Sequence, residues 1–363
     1  MSSIRILTAS TVDNILSKLS PESALSSQAH VFKHFSKPSP KPKKQQYDLI
    51  QTPHRITVNS EETTMLFMPA RAPTISNSTF ESSTTTSIKI VSLPQKSNDG
   101  LPGTTLILDE KNGKVKAIVN AKKLTALRNA CGSALFLQQF PNPTPPKHLI
   151  LFGSGEQCNS HTILFLKLWP SIEKVTFIIR SETIRSNSLI TNLSNQFPNV
   201  EIKSSIHSSS DSKGLNELIK QGDIIITATP SNEPLFKSND EIPKKGTRLI
   251  LIGSYKPTMH EIDTALIKKS SIIVDSKDAC LIESGELIDA KIEKEDLIEL
   301  GEVLNEEGQN NDKKKIVLDK VGGEEGIIIF KSVGLGIQDV AITKLVLEEA
   351  ERLNLGSIVE NYD

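Results

Sequence analysis

Apolar residues follow two different rhythms along this chain. From about residue 49 to residue 119 they form short strand-like runs broken by polar turns, at 64–68, 87–92, 104–108 and 115–119. Asp109-Glu110-Lys111-Asn112-Gly113-Lys114, between the last two, is a hairpin signal, because Asn-Gly adopts the tight turn geometry readily. These runs predict an antiparallel or mixed sheet. Ahead of them, residues 4–7 read as a strand and 12–19 as a helix capped by Ser10 or Thr11. After them, Leu124, Leu127, Ala130, Cys131, Ala134, Leu135 and Leu137 recur at helical spacing, predicting a helix over 121–140.

Pro141-Asn142-Pro143-Thr144-Pro145-Pro146 ends that helix and makes a stiff linker, the best boundary in the sequence. Beyond it the rhythm changes. Strands at 148–152, 174–179, 223–227, 248–252 and 271–274 alternate with helical segments, and most are continuous apolar runs. Strands covered on both faces of a parallel sheet have that composition. The sheet is expected to end near residues 300–303, with a charged, mobile loop at 305–315. A final helix over 339–353 then returns toward the first domain.

The turn after the first of these strands carries the most chemistry. Leu149-Ile150-Leu151-Phe152 runs straight into Gly153-Ser154-Gly155-Glu156-Gln157-Cys158, with an apolar helical segment behind it. Gly153 permits a tight turn, Gly155 lets the backbone approach a pyrophosphate, and Cys158 is small enough for close helix–strand packing. The free N–H groups at the helix start would receive the phosphate. A glycine turn serving geometry alone is the plain alternative. The ribose selector of such a fold stands at the end of the next strand, where this chain has Arg180-Ser181-Glu182. A guanidinium at Arg180, with the Ser181 hydroxyl, suits a 2′-phosphate by charge and by its planar donors. NADPH is therefore favoured, and Glu182 keeps NADH open. The loop Ala228-Thr229-Pro230-Ser231 leaves the sheet at its carboxyl edge, where ligands dock, so Thr229 and Ser231 join the cofactor candidates.

Composition narrows the class. The 363 residues exceed one ordinary core, and 37% hydrophobic with 23% charged residues suits a soluble globular protein. A net charge of −1 offers no global field for nucleic acid or an anionic membrane. Cys131, Cys158 and Cys280 form no C-x-x-C pair, so a reduced, cytoplasmic setting is expected. No apolar run approaches the ~20 residues of a membrane span, and the N-terminus lacks a signal-peptide core. The basic proline-rich stretch 36–46 reads as a solvated loop or insertion. His30, His34, His54, His148, His161, His207 and His260 make no metal-ligand pattern.

Taken together, the motifs resemble the ornithine cyclodeaminase/mu-crystallin family in order and spacing. They are Arg55 ahead of Phe67-Met68-Pro69-Ala70, Ile88-Lys89-Ile90-Val91, Leu124-Thr125-Ala126-Leu127-Arg128-Asn129-Ala130, Gly153-Ser154-Gly155-Glu156-Gln157 and Ala228-Thr229-Pro230-Ser231. Glu261-Ile262-Asp263, Val274-Asp275-Ser276 and Lys331-Ser332-Val333-Gly334-Leu335-Gly336-Ile337-Gln338-Asp339 follow. The resemblance implies an α/β protein, usually a homodimer. A Rossmann dinucleotide-binding domain, 144–327, would join an α+β substrate and dimerisation domain built from 1–143 plus 328–363. It further implies a small amino or imino acid substrate whose carboxylate meets Arg55, Lys89 and Arg128. Three cations converging on one carboxylate give strong charge-assisted recognition where water is excluded. Lys89, inside an apolar strand, would have a lowered pKa and serve as proton donor. A solvent-facing edge-strand lysine is the alternative for Lys89, and a helix-surface charge for Arg128.

One departure bears on the reaction. Cyclodeaminases of this family carry an aspartate two residues after the glycine following the strand, and this chain reads Ile252-Gly253-Ser254-Tyr255-Lys256-Pro257, with Tyr255 in that place. A neutral phenol is a poor base and no counter-ion for an ammonium. The weight moves to NADPH-dependent reduction of a cyclic imino acid, as in mu-crystallin-like members. Ornithine cyclodeamination to proline and ammonia, or a non-catalytic cofactor-binding role, are the rivals.

Overall fold

In the computed structural model the described residues are 3–37, 48–75, 82–94, 101–207, 212–305 and 312–362, and their strands form two sheets. The first takes β1 (Ser3–Leu7), β2 (Ile56–Asn59), β3 (Thr63–Ile75), β4 (Ser82–Pro94), β5 (Gly103–Leu108) and β6 (Val115–Asn120). The second takes β7 (His148–Phe152), β8 (Lys174–Ile179), β9 (Glu201–Ile206), β10 (Ile224–Thr227), β11 (Arg248–Leu251), β12 (Ser271–Val274), β13 (Leu297–Glu299) and β14 (Ile328–Lys331). β15 (Ser357–Glu360) closes the chain by pairing with β1. The helices are α1 (Ala9–Lys18), α2 (Pro21–Phe35), α3 (Leu124–Gln139), α4 (Glu156–Leu168), α5 (Ile184–Gln196) and α6 (Ser212–Ile219). They continue with α7 (Thr264–Lys269), α8 (Lys277–Glu283), α9 (Gly285–Asp289), α10 (Leu300–Asn305), α11 (Asp312–Lys320) and α12 (Gly336–Arg352).

The chain divides into two compact units, Met1–Cys131 with Gly334–Asp363, and Gly132–Val333. The borders differ from the expected 143/144, at the proline run, and 327/328; the second lies past β14, which pairs with β11 and β12 of the second sheet. The first falls inside α3, because the end of that helix packs with the second sheet. Phe136 stacks on Phe330 of β14 at 5.4 Å, and the buried Arg248 donates to the carbonyls of Phe140 and Pro141. The basic stretch at 36–46 lies, from residue 38 on, outside the described residues.

The first unit is a mixed sheet in the order β15-β1-β6-β5-β4-β3-β2, covered by helices. Every pair from β2 to β6 is antiparallel, and the predicted hairpin at Gly113 (φ 73°) joins β5 to β6. α12 packs on β3, β4 and β5 and against α2, and twelve of its residues are buried. α2 is not announced by the apolar pattern, since Ser27 and Gln28 hold buried positions; the Gln28 amide donates to the Gln338 carbonyl at 3.1 Å. α1 begins at Ala9, capped by Thr8, whose hydroxyl accepts from the Thr11 N–H at 3.3 Å. The expected cap at Ser10 or Thr11 is thus two or three residues late.

The second unit is parallel throughout, ordered β13-β12-β14-β11-β10-β7-β8-β9. From β7 the chain builds outward through β8 to β9, then crosses back to place β10 on β7's other side. That reversal opens a crevice at the carboxyl ends of β7 and β10, where ligands of open α/β sheets bind. Residues 312–320 are helical rather than a loop: Val317 is buried and its carbonyl accepts from the Ser271 hydroxyl at 2.7 Å.

Candidate active site

Lys89 sits on β4, an interior strand between β3 and β5, and is 1% exposed, so the solvent-facing edge position does not apply. Its ammonium lies 2.8 Å from Asp339 Oδ2 and 3.5 Å from the Thr125 hydroxyl. Arg128, 3% exposed on α3, places its Nε 3.3 Å from Asp339 Oδ1. Its Nη1 donates to Gln338 Oε1 at 2.9 Å and to the Asn129 side chain. Gly334 makes room for this guanidinium: its φ is +85°, and a Cβ there would fall 2.6 Å from Nη1. Arg55, half-buried just before β2, lies near enough to Lys89 for its charge to act on the ammonium. Burial, then the repulsion of Arg128 and Arg55 against the pull of Asp339, brings the Lys89 pKa down to about 8.

The first unit thus brings Arg55, Lys89 and Arg128 together, and adds Asp339, to which the sequence reading gave no role. The signal was an acid in the first turn of a helix whose first half is otherwise uncharged, and α12 buries it at 2% exposed.

In the second unit β7 ends at Phe152 and the chain turns through Gly153 at φ +105°, its N–H donating to the Ile178 carbonyl at 2.9 Å. A Cβ at Gly153 would lie 3.2 Å from Thr229 Cγ2 and 3.5 Å from Cys158 Sγ. Gly155 caps α4 with no side-chain hydrogen bond, so no capping side chain claims the first N–H groups of the helix. Gln157 Oε1 and Thr229 Oγ1 are buried without a hydrogen-bond partner among the described residues. Helix-start N–H groups without a side-chain cap and a backbone stripped of Cβ fit a pyrophosphate. Cys158 is 1% exposed, and burial pushes its thiol up to about 12, which marks a packing residue. Ser154 is half-buried in the same turn. The Glu156 carboxylate accepts from Asn159 and Ser160 of its own helix. Arg180 and Ser181 are exposed where β8 ends. The Ser231 hydroxyl donates to the Glu233 carbonyl at 2.6 Å, so it shapes its own loop.

Tyr255 stands in this second unit, half-buried on the loop after β11, with Lys256 Nζ 5.9 Å from its ring centroid. A buried charge network underlies that loop. Glu261, 0% exposed, accepts from the Thr229 N–H at 3.2 Å, the Gly253 N–H at 2.7 Å and the Ser254 N–H at 3.2 Å. Lys331 at the end of β14 donates to the Ser254 carbonyl at 2.6 Å and hydroxyl at 2.7 Å, and lies 3.4 Å from Glu286. Burial raises Glu261 to about 7, with Lys331 opposing. Glu261 and Lys331 lay in motifs read from the sequence, yet their linkage depends on contacts among the ends of β10, β11 and β14, the loop before α7 and helix α9, which spacing does not reveal.

The profile of the ornithine cyclodeaminase/mu-crystallin family matches residues 41–354. The chain belongs to this family. A Dictyostelium discoideum protein described as an uncharacterized cyclodeaminase is 31% identical over 286 residues, covering 74% of this chain and 77% of that protein. A Delta(1)-pyrroline-2-carboxylate reductase of Bacillus cereus is 28% identical over 313 residues, covering 83% and 86%. The fold matches the Thermococcus litoralis Delta(1)-pyrroline-2-carboxylate reductase in complex with NADH and L-proline, with a TM-score of 0.76, 22% identity, and coverage of 97% and 99%. As a member of this family the chain has the family's α/β fold with a Rossmann-type parallel sheet. No helix among the described residues is long and apolar enough to cross a membrane.

Proposed function

We propose that this family member is an NADPH-dependent reductase of a small cyclic imino acid, forming the corresponding amino acid. The observation that carries the reading is the pairing of two buried cations, Lys89 and Arg128, with the single carboxylate of Asp339. Two positive groups against one negative leave a buried net charge of +1, which calls for an anionic ligand. Arg128, held by Asp339, Gln338 and Asn129, and Arg55 hold the substrate carboxylate. Lys89, its pKa brought down to about 8, gives its proton to the imine nitrogen while Asp339 keeps the ammonium in place. The cofactor, when bound, supplies the hydride that the C=N carbon receives.

The turn Gly153–Gly155 with Glu156 and Gln157 at the start of α4 would seat the pyrophosphate, and Thr229 and Ser231 the nicotinamide side. Arg180 and Ser181 favour NADPH over NADH. Tyr255 replaces the carboxylate that ornithine deamination needs, which supports reduction over cyclodeamination. The exposed Ile56 and Val58 on the edge strand β2 support a homodimer, and three buried free thiols suit a cytoplasmic setting.

The purified protein is incubated with NADPH and Delta(1)-pyrroline-2-carboxylate, or another cyclic ketimine carboxylate, with cofactor oxidation and amino-acid formation measured together. Ornithine is supplied in parallel. Bound cofactor without turnover of any imine would overturn the proposal, and proline from ornithine would restore the cyclodeaminase reading.

A further inference from the structure

Two guanidinium groups flank the glycine turn, and only one of them stands at the usual selector position. Arg180 follows β8 directly, and β8 is tied to the turn by the Gly153 N–H bond to Ile178. Arg185, in the first turn of α5, reaches back from the other side: a Cβ on Gly155 would lie 3.7 Å from its Nη2. Its charge is also felt by the Cys158 thiol in the first turn of α4. Both arginines are exposed, and neither makes an ion pair or hydrogen bond to another described residue. Unpaired guanidinium groups held beside unclaimed backbone donors are a site for a phosphate.

The intervening sequence sharpens which phosphate. Glu182 is the one acid between the two arginines and offsets one of their charges. A ribose 2′-phosphate carries about −1.5 to −2 charges, so Arg180 alone, beside Glu182, does not balance it. Ile184, next to Arg185, is 89% exposed, an apolar surface of the kind an adenine ring covers. The geometry points to Arg185 as a second specificity-determining residue, closing with Arg180 on the 2′-phosphate of NADPH. This inference rests on the NADPH reading above.

Binding of NADPH, NADH and the fragments 2′,5′-ADP and 5′-AMP is measured by calorimetry on the wild type and on R180A, R185A and R185K. R185A is expected to weaken NADPH and 2′,5′-ADP about tenfold and leave NADH and 5′-AMP nearly unchanged, with R185K recovering part of the loss. Equal loss of NADPH and NADH would place Arg185 on the pyrophosphate and overturn the assignment. No loss at all would overturn it too. A wild type that binds NADH as tightly as NADPH defeats the cofactor reading itself. A wild type that prefers NADPH through R180A-sensitive contacts alone defeats only the role of Arg185.

Discussion

The Nζ of Lys89 lies 2.8 Å from Oδ2 of Asp339, and both side chains are 2% exposed. An ion pair this deeply buried rarely persists for stability alone, because desolvating both charges consumes most of their attraction. Here the second cation on the same carboxylate, Arg128, makes the arrangement lopsided in charge, which the proposed anionic substrate would complete.

Lys89 sets the first prediction. With its pKa brought down to about 8, it is mostly protonated at neutral pH and loses that proton as pH rises through 8. A proton donor must be protonated, so imine reduction falls above about pH 8, while the reverse oxidation rises there. Stability runs the same way as the oxidation. A depressed lysine pKa favours the folded state above the unfolded value of 10.5, and that contribution is lost as pH falls through 8. Rates in both directions across this range, with urea unfolding at the same pH values, provide the check. A pH profile with no limb near 8, or one that survives K89M, would contradict it.

Removing the counter-charge is more damaging than removing the cation. In D339N both Lys89 and Arg128 face one another without the carboxylate, and a broken buried pair costs about 3–5 kcal/mol. The Lys89 pKa should fall further, because the attraction of Asp339 is what opposes burial and the repulsion of Arg128 and Arg55. Chemical denaturation should show the loss, and the alkaline limb of the reduction rate should move to lower pH in whatever fraction remains folded. An unchanged limb would mean that Asp339 does not govern the proton on Lys89.

Much of this was legible in the chain. Continuous apolar runs gave β7, β8, β10, β11 and β12 of the parallel sheet but not β14, the inner strand between β11 and β12, and Gly153 with Gly155 marked the turn, because burial on both faces and a positive φ leave compositional traces. α2, β9 and β15 left weaker ones. Their buried positions include Ser and Gln, or, for β9 and β15, they lie on exposed sheet edges where no apolar alternation is required. Arg55, Lys89 and Arg128 were reached through the resemblance. Asp339 escaped because its partnership spans 250 residues between Lys89 and the start of α12, a distance no local pattern encodes.

Gly153 supplies a test of the turn. At φ +105° an L side chain is strained, and its Cβ would press on Thr229 Cγ2 at 3.2 Å. G153A is expected to lower stability by about 1–2 kcal/mol and to weaken cofactor binding more than that strain alone, since Thr229 must shift. Calorimetric cofactor titration and thermal unfolding separate the two effects. A variant that unfolds earlier yet binds the cofactor normally would show that the turn serves geometry only.

Glu261 joins the loop that carries Thr229 to the loop that carries Tyr255, through N–H groups at 3.2, 2.7 and 3.2 Å on its two oxygens. E261A leaves all three donors buried and unsatisfied, at about 1–3 kcal/mol each before any relaxation. E261Q keeps one acceptor oxygen and turns an NH2 toward the others, so it should recover part of the loss. Its pH behaviour is separable as well. Burial holds Glu261 at about 7, above the ordinary carboxylate value of 4.5, so its contribution to stability is fully present below 4.5 and lost as pH rises through 7. E261Q carries no ionisable group and should flatten that decline between pH 5 and 8 in urea titrations. If the two loops are held by Glu261, the same variant weakens cofactor binding and alters KM for the imine together. A fall in stability with both binding constants intact would make Glu261 a purely structural anchor.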